Sequence, residues 1–133
     1  MKHKEKVYLA GGMKSGWQDT VIEKYGDKFI FFNPRDHKLN KPDQFSTWDL
    51  HHVKSADIIF AYFESDNPSG IGMTLEIGYA RGLNKTIILV DEKSPSDSFF
   101  ANKFRIVRNS ADVVLDSLEE GLAFLERFSI YSI

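Results

Sequence analysis

The chain contains no cysteine, so disulfide staples and thiolate metal sites are excluded. A reducing compartment is allowed, and the cytoplasm is the expected location. Long apolar runs are missing as well. Val7 to Ala10 is far shorter than a signal-peptide core, and nothing approaches the roughly 20 apolar residues of a membrane span, so no membrane partner is expected. Neither charge is in excess, with 17 Lys and Arg against 19 Asp and Glu and a formal net charge of −2. A nucleic-acid polymer needs a basic surface, so it is not an expected partner. The one basic cluster, Lys2, His3, Lys4 and Lys6, stands just before an apolar run and solvates a strand's entry. Repeats, linkers and low-complexity tracts are absent too.

What is present suits one packed interior. At 133 residues, with 42% hydrophobic and 14% aromatic side chains, the chain reads as one domain spanning 1–133. Five runs are continuously apolar, β-branched or aromatic: Lys6 to Ala10, Lys28 to Phe32, Asp57 to Phe63, Thr86 to Val90 and the weaker Ala111 to Leu115. Such runs predict strands buried on both faces. Between them, Trp17, Val21, Ile22 and Tyr25 fall at helical spacing, as do Phe45, Trp48, Leu50 and Val53. Ile71 to Leu83 reads as a third helix, and Ser117 with Glu120 forms a capping-box pattern opening a fourth. This alternation predicts an α/β domain with a five-stranded, mostly parallel sheet and helices on both faces. Two polar stretches, Asn33 to Asp43 and Glu64 to Gly70, fit neither template. Both follow the carboxyl end of a strand, where open α/β sheets bind ligands.

The first strand ends in Gly11-Gly12-Met13-Lys14-Ser15-Gly16, which matches neither the dinucleotide fingerprint nor the P-loop. It reads equally as a tight turn or as a loop whose backbone approaches a ligand. Glu76 is more telling. Its neighbours three and four positions away are Gly72, Met73, Tyr79 and Ala80, so this acid has no cation on its own helix. The helix dipole would hold such a carboxylate ionised, while Gly70 and Gly72 admit a ligand. That suits a nucleophile; the alternatives are an ion pair with a basic residue distant in sequence or a surface position beside a glycine-lightened helix packed on the sheet. Asp49 shares a helix face with Phe45, Trp48 and His52, as a second reactive acid, as an exposed acid near the helix middle, or as one paired with His52. Asp57 reads as a cap or turn residue. His51 and His52 are adjacent and diverge on a helix, while His3 and His37 belong to other segments, so no metal site is expected. Met13 and Met73 line core or pocket. Nothing marks a haem, flavin or iron–sulfur group, no cofactor is expected, and no nucleophile elbow supports acyl transfer.

The ordered set Val7-Tyr8-Leu9-Ala10-Gly11-Gly12, Trp48-Asp49-Leu50, Ser55 to Tyr62, Ser69-Gly70 through Glu76-Ile77-Gly78-Tyr79-Ala80, and Lys85 to Val90 resembles the nucleoside 2-deoxyribosyltransferase family. The resemblance covers nearly the whole chain. It implies a flavodoxin-like, Rossmann-like sheet and transfer of a 2-deoxyribosyl group between bases. The alternatives it leaves are hydrolysis of nucleoside 5′-monophosphates and a nucleotide-sensing module without turnover. By the resemblance, Glu76 is the nucleophile that forms a covalent glycosyl-enzyme, Tyr8 orients it, and Asp49 meets the nucleobase and protonates it as it leaves. Asp66, Asn67 or Ser69 fills the place of the sugar-gripping acid, at a spacing longer than usual. The resemblance also implies a homo-oligomer whose active site is completed by Asn102 of a neighbouring subunit. Asn33 to Asp36 would face substrate, and Trp17 to Asp19 would cover the base. The expected partners are a nucleoside or nucleotide and a free base.

Overall fold

The computed structural model describes residues 3–66, 68 and 70–131. Strands β1 (Lys6–Gly11), β2 (Ile30–Phe32), β3 (Ile58–Phe63), β4 (Thr86–Asp91) and β5 (Val113–Leu115) form one sheet in the order β2-β1-β3-β4-β5. Every neighbouring pair is parallel. The helices are α1 (Trp17–Tyr25), α2 (Pro42–Ser55), α3 (Ile71–Gly82), α4 (Ser98–Lys103), α5 (Arg105–Ser110) and α6 (Leu118–Glu126). All five expected strands and all four expected helices are present. Helices α4 and α5 are additional. The Asp97 side chain starts α4 by accepting the Phe100 N–H at 3.0 Å, and the backbone leaves helical geometry at Phe104 before α5 begins. Among the described residues, no helix is long and apolar enough to cross a membrane.

Strand residues alternate between two faces, and each face buries its own set of helices. Tyr8, Ala10, Ile59, Ala61, Ile87 and Leu89 pack against Val53 of α2, Met73 and Ile77 of α3, Phe100 of α4 and Val107 of α5. Val7, Leu9, Ile58, Phe60, Ile88 and Val90 pack on the other side against Trp17 and Val21 of α1 and Leu122 and Leu125 of α6. The strand order reverses direction between β1 and β3. Their carboxyl ends therefore diverge into loops that leave a crevice, the usual ligand position in this topology.

Helix α6 reaches the sheet at a glycine. A Cβ on Gly121 would lie 2.2 Å from Val90 Cγ2 and 3.2 Å from Phe60 Cζ. Gly121→Ala is therefore expected to destabilise the fold by about 1–3 kcal/mol through overpacking. Urea titration checks this as a lower midpoint at unchanged slope; an unchanged midpoint would show that α6 can shift outward freely.

Candidate active site

Tyr8 sits near the middle of β1 and points to the α2–α3 side, fully buried. Its hydroxyl donates to Glu76 Oε2 at 2.6 Å, across a sequence separation of 68 residues. Among the described residues, no salt bridge reaches Glu76. Its partner is thus a neutral donor from the sheet, not a distant cation. Asp49 projects from α2 toward the same space, and His37, just past the 3-10 turn Pro34–Asp36, brings Nε2 to 3.4 Å from Asp49 Oδ1. The alternative pairing of Asp49 with His52 is not made: His52 turns Nδ1 to the Trp48 carbonyl at 2.9 Å and stacks on the Trp48 ring.

Glu76, Asp49, Gly11, Gly72 and Met73 line one cavity of about 280 Å³, near the lower end of ligand-pocket sizes. Met13, Pro34, His37 and Phe45 complete its wall. Larger depressions lie along α2, about 530 Å³, and between α3 and α4, about 490 Å³. Neither contains Glu76, so convergent polar chemistry and not volume identifies the site.

Burial dominates the electrostatics. It pushes the Glu76 carboxyl up to about 7, helped by the nearby Asp49 charge and opposed by the Tyr8 hydrogen bond. The expectation that the helix dipole keeps Glu76 ionised is corrected here: the residue lies beyond the first turn of α3, where the dipole fades, and desolvation wins. Burial and the two carboxylates hold the Tyr8 hydroxyl protonated far above the ordinary phenol range. Asp49 is also raised by burial, against the opposing pull of His37. Two carboxyls whose proton affinities are both raised by burial thus share one cavity.

Other expected site residues fall elsewhere. Trp17 is a correction: its indole lies on the opposite side of the sheet, edge-on to Tyr62 and donating to the Gly12 carbonyl at 3.0 Å. It buttresses the loop and does not line the cavity that holds Glu76. Gly12 serves the same loop, its carbonyl also accepting from Gln18 at 3.0 Å. Gly11 has φ +155, and a Cβ there would meet Tyr62 O at 2.8 Å and Trp17 Cζ2 at 2.9 Å, so close approach explains this glycine. Asp36 is exposed, and its neighbours Pro34 and His37 line the cavity instead. Asp66 is exposed and does not line the cavity. Asn67 and Ser69 lie outside the described residues. Gly70 lines the groove between α3 and α4, and Asn102 is exposed on α4, accepting from Arg105 at 2.6 Å. Met13 is expected in core or pocket and Pro34 belongs to the Asn33 to Asp36 stretch expected to face substrate, while His37 and Phe45, in or just after the same polar stretch, carry no site signal of their own. Among the described residues, no cluster of three or more metal-ligating side chains occurs.

A family model described as nucleoside 2-deoxyribosyltransferase like matches residues 4–94. No curated protein matches the chain in sequence. Among solved structures, a conserved protein from Enterococcus faecalis superposes with TM-score 0.73 at 14% identity, over 94% of this chain and 99% of that one. The 2-desoxiribosyltransferase from Leishmania mexicana gives 0.72 at 17%, over 92% and 97%. A CMP N-glycosidase from Clostridium botulinum gives 0.61 at 22%, over 92% and 99%. These likenesses carry the fold.

Proposed function

Because the chain belongs to the nucleoside 2-deoxyribosyltransferase-like family, we propose that it transfers a 2-deoxyribosyl group between nucleobases through a covalent intermediate on Glu76. The observation that carries this reading is the 2.6 Å hydrogen bond from buried Tyr8 to Glu76 in a cavity that Asp49 shares. A Glu76 oxygen attacks the anomeric carbon as the glycosidic C–N bond breaks. The bonding pair leaves with the base, which takes the Asp49 proton. A second base then attacks the same carbon, expels the Glu76 carboxylate and returns its proton to Asp49. Two displacements retain configuration. Tyr8 donates to one Glu76 oxygen, which fixes the carboxylate's rotation and leaves the other oxygen to react.

A second copy of the chain belongs to this reading. Ile71, Leu75, Phe99 and Ile106 are 92%, 60%, 77% and 73% exposed on α3, α4 and α5, which supports an apolar face covered by a partner. Asn102 on that face would then reach the partner's cavity. Soluble small-molecule substrates fit a cytoplasmic place.

The test is chromatography of the protein with a 2′-deoxynucleoside and a different free base, beside the corresponding 5′-monophosphate. A swapped nucleoside supports transfer. Free base with deoxyribose or its phosphate makes water the acceptor and the enzyme a hydrolase. No consumption of either, with a thermal shift on adding nucleotide, turns the reading to a sensing module. Asp49→Asn is expected to lower kcat by about 100-fold, the general-acid contribution, with a smaller loss for bases that leave easily. An unchanged rate would remove Asp49 from the chemistry.

A further inference from the structure

His37 contacts Asp49, and the proposed chemistry leaves it without a task. Its side chain is 10% exposed, and its ring meets Trp48 edge-on with centroids 5.0 Å apart. Nδ1 accepts the Leu39 backbone N–H at 2.8 Å. A ring nitrogen that accepts carries no proton, so in the neutral imidazole the proton is on Nε2. Nε2 is the nitrogen 3.4 Å from Asp49 Oδ1. The turn that locks the ring is itself strained: Lys38, between His37 and Leu39, has φ 53, a left-handed conformation that non-glycine residues seldom adopt. Asp49 Oδ1 is sealed from solvent and has no aligned hydrogen-bond donor among the described residues. Oδ2 is therefore the carboxyl oxygen left to meet a ligand in the cavity.

We propose that His37 is a positioning residue, whose Nε2–H holds Asp49 Oδ1, turns Oδ2 and its proton toward the ligand, and stabilises the carboxylate formed as that proton leaves. The inference rests on Asp49 being the acid of the proposed reaction. Three other titratable groups bear on Asp49. Tyr8 of β1 donates its hydroxyl proton to Glu76 and also lies close enough to the Asp49 carboxyl to favour its ionised form, Glu76 of α3 adds like charge, and His52 of α2 points Nδ1 at a backbone carbonyl. None supplies the donor that Oδ1 lacks. The contact shortens as negative charge develops on the carboxyl, so its stabilisation is greatest during proton transfer.

Two substitutions separate this role from support of the turn. His37→Asn keeps an acceptor near the Nδ1 position for the Leu39 N–H but has no donor at the Nε2 position; His37→Gln restores an N–H there. Carbon-13 NMR follows the Asp49 carboxyl titration in each. Kinetics against pH use a 2′-deoxynucleoside, whose base leaves protonated, and 4-nitrophenyl 2-deoxyriboside, whose leaving group departs as a stable anion. In the Asn variant, the Asp49 titration is expected to move to higher pH. Its kcat on the deoxynucleoside falls about ten-fold and its alkaline limb moves up, a markedly larger loss than on the nitrophenyl substrate. The Gln variant returns titration and rate toward wild type. An unmoved Asp49 titration in the Asn variant, a parallel loss on both substrates, failure of Gln to restore, or nitrogen-15 shifts placing the His37 proton on Nδ1 would each overturn the proposal. The NMR readouts need no turnover. A wild-type protein that cleaves neither substrate therefore sinks the proposed function while His37 is still decided.

Discussion

Glu76→Gln is expected to reduce glycosidic cleavage by roughly ten-thousand-fold or more, as loss of a nucleophile does, and to leave the protein more stable than wild type at neutral pH. The amide is isosteric and still accepts the Tyr8 hydroxyl, so packing survives. The stability effect follows from proton linkage. The Glu76 carboxyl is held at about 7 in the fold against an ordinary 4.5, so the folded state keeps its proton when the unfolded chain has lost it. Wild-type stability from this group is therefore complete below about 4.5, declines as pH rises, and is fully lost above about 7. At roughly 1.4 kcal/mol per pH unit, the gap amounts to about 3 kcal/mol. Glutamine does not titrate. The melting temperature of the variant relative to wild type should thus climb by on the order of 10 °C between acid and neutral pH. Activity should rise through the same range as the nucleophile ionises. A constant difference in melting temperature would contradict burial of the ionised acid, and cleavage near the wild-type rate would dismiss Glu76 as nucleophile.

Asp91→Ala is expected to destabilise the fold by about 3 kcal/mol without touching the chemistry. Asp91 ends β4 fully buried. Its Oδ2 accepts from Ser94 Oγ and Arg108 Nη1, both at 2.5 Å, and its Oδ1 from the backbone N–H groups of Lys93 and Ser94 at 3.1 and 2.9 Å. One carboxylate thus fixes the turn after β4 and anchors α5, which carries Arg108. Removing it leaves several donors and a cation unpaired. Breaking a buried pair in this way costs about 3–5 kcal/mol, and the partial exposure of Arg108 places this case at the lower end. Guanidinium unfolding measures the effect. Adding Arg108→Met should recover part of it, because the stranded charge goes too. A loss below about 1 kcal/mol would mean that water replaces the carboxylate without penalty.

Strands were legible because burial on both faces makes a continuous apolar run, as in Ile58 to Phe63, all six residues of which are buried. Helices α4 and α5 were not, since six residues complete less than two turns and show no repeat. Glu76 stood out by lacking a helical partner, a local property that sequence displays. Tyr8 entered through the resemblance, because a tyrosine in an apolar strand looks like core until its hydroxyl is seen meeting a carboxylate, whereas Asp49 stood out on an aromatic helix face with its role open. His37 escaped notice for a related reason: its orientation depends on the Leu39 N–H and the backbone at Lys38, neither of which leaves a pattern. Trp17 shares a helical stripe with Val21 and Tyr25, yet lies across the sheet from Glu76. Helical periodicity reports that a face is buried but not which side of the sheet buries it.

The sheet also divides the molecule by what a mutation can damage. Every side chain of the proposed chemistry projects to the side of α2 and α3, while α1 and α6 cover the other side, and from α1 Trp17 and Gln18 also hold the Gly12 carbonyl. Labels, stabilising substitutions and neutral drift therefore have freer ground on the exposed positions of α1 and α6. Along β1 the boundary runs between consecutive residues: a change at Leu9 is judged by folding, and a change at Tyr8 by catalysis.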